Sequence, residues 1–385
     1  MTQLNGELKR PIVPQKTLAL LGIGHTNAHV VERWATHSIL GYRLVCVSNF
    51  ATAAYSGMLP GTLARQFDDM EMRIRLQPLI ERAGGELIFG NVSGIDLPKQ
   101  QLTFNDRDAV RFDMLSIGVG SMPVGLDSHA SPMIVPIKPM QDFISRLDNR
   151  VDALLKRDKP EPIRIAIVGG GVAGVEIAFC LRQRLREREC TNSAVISIFT
   201  GGKKVADGMR PRSVRLIENL LAQHSIAIHP LSRVARVSND FLLTDDDREH
   251  AVDCVIWATG AGPSSILQKL ALQKDERGFI ATSNTLQSLT DKRVFAVGDC
   301  GTIIASPCPK AGVYAVRQSP VLWHNLNAFA KGRSLQTFAP QKDFLKLLNT
   351  GDGKALLEYK VLTTHGRWCL RLKNWIDRRF VSGFQ

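Results

Sequence analysis

Two glycine-rich segments, each preceded by an apolar run, have the residue types and spacing of a dinucleotide-binding loop. The first is Gly22-Ile23-Gly24-His25-Thr26-Asn27, and the second is Gly169-Gly170-Gly171-Val172-Ala173-Gly174. A strand that leads through such a loop into a helix directs backbone N–H groups and the positive helix end at a pyrophosphate. A glycine turn without a ligand is the alternative for one loop alone. Two such loops in one chain predict two βαβ nucleotide sites that face each other.

The two loops differ in how well they fit the pattern. Gly22 is expected to permit the tight turn, and Gly24 to let a phosphate approach the backbone. Asn27 stands at the usual position of the third glycine, so helix and strand are expected to pack less closely there. The second loop has all three glycines: Gly169, Gly171 and Gly174.

Neither loop is followed by the acidic residue that normally binds a ribose 2′-hydroxyl. Ser48-Asn49 follows the second strand of the first unit, and Thr200-Gly201 follows the matching strand of the second unit. Lys203-Lys204 comes soon afterwards. These lysines either accept a 2′-phosphate, which would mean a preference for NADPH over NADH, or are solvated loop residues.

A carboxylate, Asp299, stands at the end of the late apolar run 294–297. At the end of a strand it can accept hydrogen bonds from the ribityl hydroxyls of a flavin. Small residues at 116–120 and 257–260 predict two crossover turns, where backbone passes close to a ligand. These features predict a flavoprotein that takes hydride from a nicotinamide.

Composition narrows the class of protein. The 385 residues are 44% hydrophobic and 22% charged, which is typical of a folded chain with a core. The net charge of +13 suits phosphate-bearing cofactors, anionic lipid or nucleic acid, but without a nucleic-acid-binding motif no nucleic-acid partner is expected. Seven cysteines without a Cys-x-x-Cys pair argue against a disulfide scaffold and a metal site, and favour a reducing compartment. The apolar run at 17–21 is too short for a signal peptide or a membrane span, so the protein is expected in the cytoplasm.

Strands and helices are predicted to alternate along most of the chain. Residues 1–16 are interpreted as a polar leader, and helices are predicted at 28–37, 74–83, 141–157, 172–188 and 211–223. The predicted fold is α/β, with two Rossmann-like domains of the three-layer ββα type, the second inserted in the first. Its predicted parts are 17–158 and 290–339 for the FAD-binding domain, 159–289 for the NAD(P)H-binding domain and 340–385 for an amphipathic tail.

Three motifs carry a resemblance to a known family. They are YSGMLPG at 55–61, CPKAGVYAVRQ at 308–318 and LKNWIDRRF at 372–380. With them the chain, from about residue 17 to 380, resembles the FAD-dependent pyridine nucleotide-disulfide oxidoreductases, in the branch of the type II NADH dehydrogenases and sulfide:quinone oxidoreductases. Within that branch it is most similar to the flavoprotein module often fused ahead of selenide, water dikinase.

The resemblance implies residues for each cofactor. The first loop and helix start would hold the FAD pyrophosphate, the segment 55–61 would approach the isoalloxazine ring, and Asp299 would hold the ribityl chain. The implied FAD-binding residues are Gly22, Gly24, His25, Thr26, Ser48, Pro60, Gly118, Gly120, Asp299, Lys310 and Ala311. The implied NAD(P)H-binding residues are Gly169, Gly171, Gly174, Glu176 and Gly260.

Lys310 and Glu176 are the two candidates for a catalytic role. The resemblance places Lys310 and Ala311 near the pyrimidine end of the flavin, where a cation or a helix N-terminus stabilises the anionic reduced ring. On its sequence alone, Lys310 is equally a surface lysine. Glu176 matches a family glutamate near the nicotinamide.

Cysteines decide between reaction types within this superfamily. Disulfide reductases place a cysteine pair in the first domain beside the flavin, whereas the first part of that domain, 17–158, contains only Cys46. A sulfur relay between Cys300 and Cys308, as in a sulfide:quinone-type enzyme, is an alternative that requires activated thiols.

The tail allows two interpretations. Trp368, Leu372, Trp375, Ile376 and Phe380 fall on one helical face, and residues 365–385 are strongly basic. Such a helix either lies on an anionic membrane surface or packs its apolar stripe on the flavin domain.

The leading functional hypothesis is an enzyme in which NAD(P)H reduces FAD and a quinone or similar acceptor reoxidises it. A sulfide or selenium-compound oxidation is the alternative within the enzyme class. A flavin-binding partner module of selenium metabolism, with little turnover, is the alternative from another class. A homodimer and peripheral contact with the inner face of a membrane are further expectations.

Overall fold

The computed structural model describes residues 16–129, 131–157, 161–188 and 194–385. The predicted leader lies outside the described residues except for Lys16, and so does the predicted domain boundary between 158 and 159.

The elements follow one another along the chain in the order of their labels. The strands are β1 Lys16–Leu21, β2 Tyr42–Ser48, β3 Thr52–Ala54, β4 Arg73–Arg75, β5 Glu86–Phe89, β6 Val92–Asp96, β7 Gln101–Phe104, β8 Val110–Arg111, β9 Met114–Ile117, β10 Ser121–Pro123, β11 Ile134–Pro136, β12 Ile163–Val168, β13 Ala194–Phe199, β14 Ile226–His229, β15 Val234–Val237, β16 Phe241–Thr244, β17 Glu249–Ala251, β18 Cys254–Trp257, β19 Ala261–Pro263, β20 Ile280–Thr282, β21 Val294–Ala296, β22 Gly301–Ile303, β23 Lys346–Asn349, β24 Ala355–Tyr359 and β25 Leu362–Gly366. The helices are α1 His25–Thr36, α2 Leu59–Leu63, α3 Leu76–Arg82, α4 Phe143–Leu155, α5 Val172–Glu187, α6 Pro211–Gln223, α7 Ser265–Lys269, α8 Gly312–Ala330 and α9 Arg367–Ser382.

A parallel five-stranded sheet forms the centre of the first unit. Its strand order is β21-β9-β1-β2-β5, so the late strand β21 lies beside strands from the start of the chain. The apolar runs that form β1 and β9 are buried throughout except for Lys16, as expected for parallel strands covered on both faces. Helices α1 and α8 pack together on one face, and the antiparallel strands β6, β7 and β8 form a separate small sheet.

A second parallel sheet has the order β11-β18-β12-β13-β14. It shares no strand with the first sheet, and the two units are joined by the antiparallel pair of β10 and β19. Because β11 pairs with β18, the second sheet already includes residues 134–136, well before the predicted start of its domain. The α/β fold with two such sheets is confirmed, while the domain boundaries stay a prediction.

Two expectations about individual elements need correction. The helix predicted at 74–83 begins only at Leu76, because Arg73–Arg75 pairs with β3 as a strand of alternating burial. The predicted tail contains a three-stranded antiparallel sheet, β23-β24-β25, ahead of α9. This sheet and the helix bury a small core of their own, at Ala355, Leu357, Cys369 and Leu370.

Candidate functional site

The first glycine loop passes directly over a second turn of the same sheet. Gly22 has φ +78°, and a Cβ atom there would lie 2.8 Å from the Cα of Val119. A Cβ atom at Gly24 would lie 2.9 Å from the carbonyl oxygen of Gly118. The close approach of the turns that follow β1 and β9 therefore requires both glycines.

Helix α1 begins without a cap from a side chain. Gly24 is its N-cap, no acidic residue occupies the first turn, and the first intrahelical bond runs from Ala28 N to Gly24 O at 2.8 Å. The N–H groups of His25, Thr26 and Asn27 therefore have no acceptor within the helix. This end of α1 fits a pyrophosphate, which takes up such donors and suits the positive end of the helix dipole.

Asn27 fills the space that a third glycine would leave open, so the expectation of looser packing is wrong. The side chain is completely buried. Its Nδ2 atom donates to Gly22 O at 2.8 Å and to Ser116 O at 3.2 Å, while Ser116 Oγ donates to Asn27 Oδ1 at 2.7 Å. The amide thus joins the loop, the helix and strand β9.

Helix α8 packs against α1 beside the same loop. Thr26 Oγ1 donates to Ala315 O at 2.7 Å. Gly298 has φ +62°, and its N–H donates to Gln318 Oε1 at 2.6 Å. These bonds hold the end of β21, and with it Asp299, near the start of α1.

Asp299 has two partners that the sequence did not indicate. Ser121 Oγ donates to Asp299 Oδ2 at 2.7 Å, and Lys138 Nζ donates to Ser121 Oγ at 2.8 Å. Lys138 Nζ also lies 3.6 Å from Asp299 Oδ2. Burial lowers the pKa of Lys138, and the carboxylate opposes that change. The carboxylate predicted to hold the ribityl chain thus has a cation beside it.

The ammonium group of Lys310 contacts strand β22 and an aromatic ring. Nζ donates to Gly301 O at 2.6 Å and to Thr302 Oγ1 at 2.8 Å, and it lies 4.1 Å from the centre of the Phe279 ring. The side chain is therefore held against β22. Ala311, its neighbour, is the N-cap of the 19-residue helix α8. The predicted roles of both residues toward a flavin stay predictions.

His25 lies in an aromatic cluster with the segment 55–61. Its ring centre is 5.3 Å from that of Tyr55 and 5.5 Å from that of Phe380, and Tyr55 and Phe380 stack at 4.3 Å. Burial lowers the pKa of His25 to about 4, so the imidazole is neutral at pH 7. Ser56 Oγ lies 3.4 Å from His25 Nε2. Pro60 lies in the short helix α2 that continues this segment.

Ser48 and Gly120 complete the predicted first site. Ser48 Oγ donates to Phe50 O at 2.9 Å and accepts from Phe50 N at 3.1 Å, so this hydroxyl shapes the turn after β2. Gly120 follows β9 in the left-handed region, with φ +74°. Both residues lie at the carboxyl edge of the first sheet, where open α/β sheets bind ligands.

The second glycine loop fits its pattern without substitution. A Cβ atom at Gly169 would lie 2.3 Å from Ala258 O, and one at Gly174 would lie 1.9 Å from Gly169 O. Gly171 is the N-cap of α5 and has no described neighbour within 4 Å of its Cβ position. Gly260 likewise borders open space in the turn after β18. This uncapped helix end, close to an open loop, fits a second pyrophosphate.

Glu176 contacts the C-terminal elements rather than the glycine loop. Its Oε1 atom accepts from Asn349 N, at the end of β23, at 2.8 Å. Burial raises the pKa of Glu176 to about 7, and the Lys373 ammonium partly opposes that rise. The carboxyl group therefore exchanges a proton near neutral pH.

Lys373 of α9 connects this glutamate with the segment 55–61. Its Nζ atom donates to Gly57 O at 2.6 Å and to Asp377 Oδ2 at 2.9 Å. Burial alone would lower the pKa of Lys373, but the carboxylates of Glu176 and Asp377 raise it. Asp377 in turn interacts with Tyr55, whose pKa is raised by burial and by that carboxylate. A chain of buried titratable groups thus runs from α5 to the segment 55–61.

The thiols of Cys300 and Cys308 lack the setting that activates sulfur. Cys300 is completely buried and donates to Ile117 O and Val297 O, and burial raises its pKa to about 11. Burial also raises the pKa of Cys308. Both thiols are therefore protonated at neutral pH, which argues against the sulfur relay.

The aromatic residues predicted on one face of α9 differ in their exposure to solvent. Phe380 packs on Tyr55, whereas Trp368 and Trp375 are 53% and 59% exposed. Its buried positions instead include the pair of Lys373 and Asp377. The helix therefore packs on the first unit and also presents two tryptophans to solvent. Among the described residues, the structure contains no helix long and apolar enough to span a bilayer.

The geometry of the two loops defines a class of protein. Two parallel sheets each end in a glycine loop and an uncapped helix, the arrangement of a protein that binds two dinucleotides. The family model of the pyridine nucleotide-disulphide oxidoreductases matches residues 16–326. The chain belongs to this family.

Individual relatives agree with that assignment. The demethylphylloquinone reductase NdbB of Synechocystis is 31% identical over 299 residues, which cover 73% of this chain and 71% of the relative. The NADH dehydrogenase-like protein YutJ of Bacillus subtilis is 24% identical over 299 residues, covering 76% and 78%.

Solved structures share the fold at low sequence identity. The sulfide:quinone oxidoreductase of Aquifex aeolicus has a TM-score of 0.79 at 16% identity, over 96% of this chain and 91% of the other. The NDH2 of Plasmodium falciparum, solved with NADH, has a TM-score of 0.79 at 13% identity, over 96% and 97%. At this identity the likeness concerns the fold alone.

Proposed function

We propose that this protein is an FAD-dependent oxidoreductase that takes hydride from NAD(P)H and passes electrons to a quinone. The observation that carries the proposal is the pair of glycine loops, each leading into an uncapped helix N-terminus. The name of NdbB, a demethylphylloquinone reductase, supports a quinone as the electron acceptor. The name of YutJ, an NADH dehydrogenase-like protein, supports a nicotinamide nucleotide as the hydride donor. Bound FAD would supply the two-electron chemistry that links a hydride donor to a quinone.

The chain's own residues have distinct tasks in this proposal. The N–H groups at the start of α1 bind the FAD pyrophosphate, and Asp299 accepts from the ribityl chain, with Lys138 Nζ 3.6 Å from its Oδ2 atom. Glu176, with its pKa of about 7, holds or releases the proton that a quinone takes up on reduction. Lys373, which donates to Gly57 O, partly opposes the rise in the pKa of that glutamate.

The first experiment is an anaerobic visible spectrum of the purified protein with FAD. Addition of NADH or NADPH should bleach the flavin, and a water-soluble quinone should restore the oxidised spectrum. A flavin that stays oxidised with both nucleotides contradicts the proposal. Bleaching without reoxidation by the quinone would contradict the proposed acceptor, whereas the proposal that NAD(P)H is the hydride donor would stand.

Sulfide or selenium-compound oxidation is less well supported as the reaction. The raised pKa of Cys300 and of Cys308 keeps both sulfurs protonated. The relation to the flavoprotein module fused ahead of selenide, water dikinase rests on the three sequence motifs and stays a hypothesis. Copurification with a selenide, water dikinase of the same cell would support it.

We also propose peripheral contact with the inner face of a membrane through Trp368 and Trp375. Both are exposed on α9, and Arg371 and Arg379 are exposed on the same helix. Tryptophan beside arginine suits the interface of an anionic bilayer. Vesicle sedimentation should show binding to anionic but not zwitterionic vesicles, and replacement of both tryptophans by Gln should abolish it.

A matched control for that experiment replaces Leu40 and Leu231 by Gln, because these exposed apolar residues lie outside α9. Loss of vesicle binding in the control, or retention in the tryptophan variant, would contradict the proposed surface. The expected homodimer stays a prediction, which the mass in solution tests.

A further inference from the structure

The segment after β13 contains the residues that would contact the adenosine ribose of a nucleotide bound at the second loop. A Cβ atom at Gly170 would lie 2.5 Å from the Cβ of Thr200, so this segment lies directly against the second glycine loop. In a nucleotide-binding sheet, the adenosine ribose lies at the end of this strand. A carboxylate that would bind the 2′-hydroxyl is absent there, because Thr200 and Gly201 occupy the position.

The tertiary structure brings an arginine to that position from the loop between β14 and β15. Ser232 N donates to Thr200 O at 2.9 Å, and Leu231 N donates to Gly202 O at 3.0 Å. These bonds place Arg233 over Gly201, with Nε and Nη2 at 3.4 and 3.7 Å from the Cβ position of that glycine. Any larger residue at 201 would therefore contact the guanidinium.

Arg233 is held by its backbone while its side chain stays free. Its N–H donates to Asp245 Oδ1 at 3.2 Å, and its carbonyl accepts from Asp245 N at 2.8 Å. Within the described parts of the chain, its guanidinium has no hydrogen bond or ion pair. The backbone contacts fix where the charge lies, and all five N–H donors remain available to a ligand.

The surrounding charge is positive. Lys203 and Lys204 are exposed in the same segment, and its one acid, Asp207, accepts from Gly208 N. The carboxylate beside Arg233, that of Asp245, already accepts from the backbone N–H of Arg233. The exposed cations Arg233, Lys203 and Lys204 suit a phosphate at this position.

We propose that the nucleotide donor is NADPH and that Arg233 binds its 2′-phosphate, with Lys203 contributing charge. This inference rests on the proposed function for the use of the second site. Arginine suits the task because its planar guanidinium forms two parallel hydrogen bonds with a phosphate. The proposal adopts the first of the two interpretations of Lys203-Lys204, because Arg233 adds a third cation to this region.

The test uses two probes that carry no nicotinamide. Adenosine 2′,5′-bisphosphate and adenosine 5′-monophosphate are titrated calorimetrically into the oxidised protein with its FAD. The bisphosphate should bind at least about tenfold more tightly, since a charge-assisted contact of this kind contributes on the order of 1.5–3 kcal/mol. Arg233→Gln should remove most of that difference and leave the monophosphate unchanged.

Arg236→Gln is the matched control, because it removes the same charge three residues further along. Its guanidinium lies over the Phe241 ring instead. Equal affinity for the two probes, retention of the preference in Arg233→Gln, or equal weakening of both probes would each overturn the proposal. The proposal would also be overturned if neither the bisphosphate nor the monophosphate bound.

Flavin reduction is measured separately with NADPH and NADH. Bisphosphate preference in a protein whose flavin neither nucleotide reduces would refute the proposed function and keep this inference. Reduction of the flavin by NADH, in a protein that does not prefer the bisphosphate, would support the proposed function and refute this inference.

Discussion

Replacing Asn27 by glycine restores the usual third glycine of the first loop, yet we expect it to destabilise the protein. Asn27 is completely buried, and its amide takes part in three hydrogen bonds with Gly22 and Ser116. In Asn27→Gly the Ser116 hydroxyl loses its acceptor, and the two carbonyls lose a donor inside the sheet. The space left by the amide borders Gly118, whose Cβ position is 2.7 Å from Asn27 Nδ2.

The expected loss follows from those bonds. A buried hydrogen bond contributes about 1 kcal/mol net, so three correspond to about 3 kcal/mol. Glycine also has a larger conformational entropy in the unfolded chain, which adds to the loss. Because the amide ties the loop to β9, FAD affinity should fall together with stability.

Thermal unfolding followed by release of flavin fluorescence measures the effect. Asn105→Gly, at an exposed asparagine, is the control and should change the free energy of unfolding by no more than about 0.5 kcal/mol. In a Ser116→Ala background the Asn27→Gly change should cost about 1 kcal/mol less, because one bond is already lost. An Asn27→Gly protein as stable as the parent would refute the reasoning.

Three further outcomes are expected. Burial raises the pKa of Glu176 to about 7, so the folded state keeps a proton that the unfolded chain releases near pH 4.5, and stability falls as pH rises between these values. Glu176→Gln should flatten that fall in urea unfolding measured from pH 4 to 8, and an unchanged profile would contradict the assignment. Lys373→Met should cost about 3–5 kcal/mol because Asp377 and Glu176 lose a buried cation, whereas Arg378→Met, an exposed control on α9, should change little in the same unfolding assay. Cys308→Ala should leave flavin reduction and quinone turnover unchanged in stopped-flow traces, since the thiol is protonated; a large loss of rate would restore the sulfur relay.

The sequence predicted the parts of the site that depend on local order. Each apolar run followed by glycines predicts a strand, a turn and a helix, and Gly169, Gly171 and Gly174 lie as that pattern requires. The predicted segment boundaries are less accurate where the same residues can form either a strand or a helix. At Arg73–Arg75, strand pairing with β3 prevailed over helical spacing.

Contacts between distant residues could not be predicted in the same way. Lys138 reaches Asp299 through Ser121, and Phe380 of the last helix stacks on Tyr55. For Lys310 a sequence-based role near the flavin was predicted, but its ammonium contacts β22 and the Phe279 ring. Spacing along the chain does not determine which of two lysines lies beside a carboxylate.

The sequence by itself determined the two nucleotide loops, the α/β class and the family, because short-range periodicity and glycine spacing are properties of neighbouring residues. Only the tertiary structure decided which side chains complete each site. It buried Asn27 as a bonded amide, brought Asn349 N to the Glu176 carboxylate and brought Arg233 over Gly201. The physical reason is that these contacts join strands and helices far apart in the chain. Their burial and charge exist only once the sheets have packed.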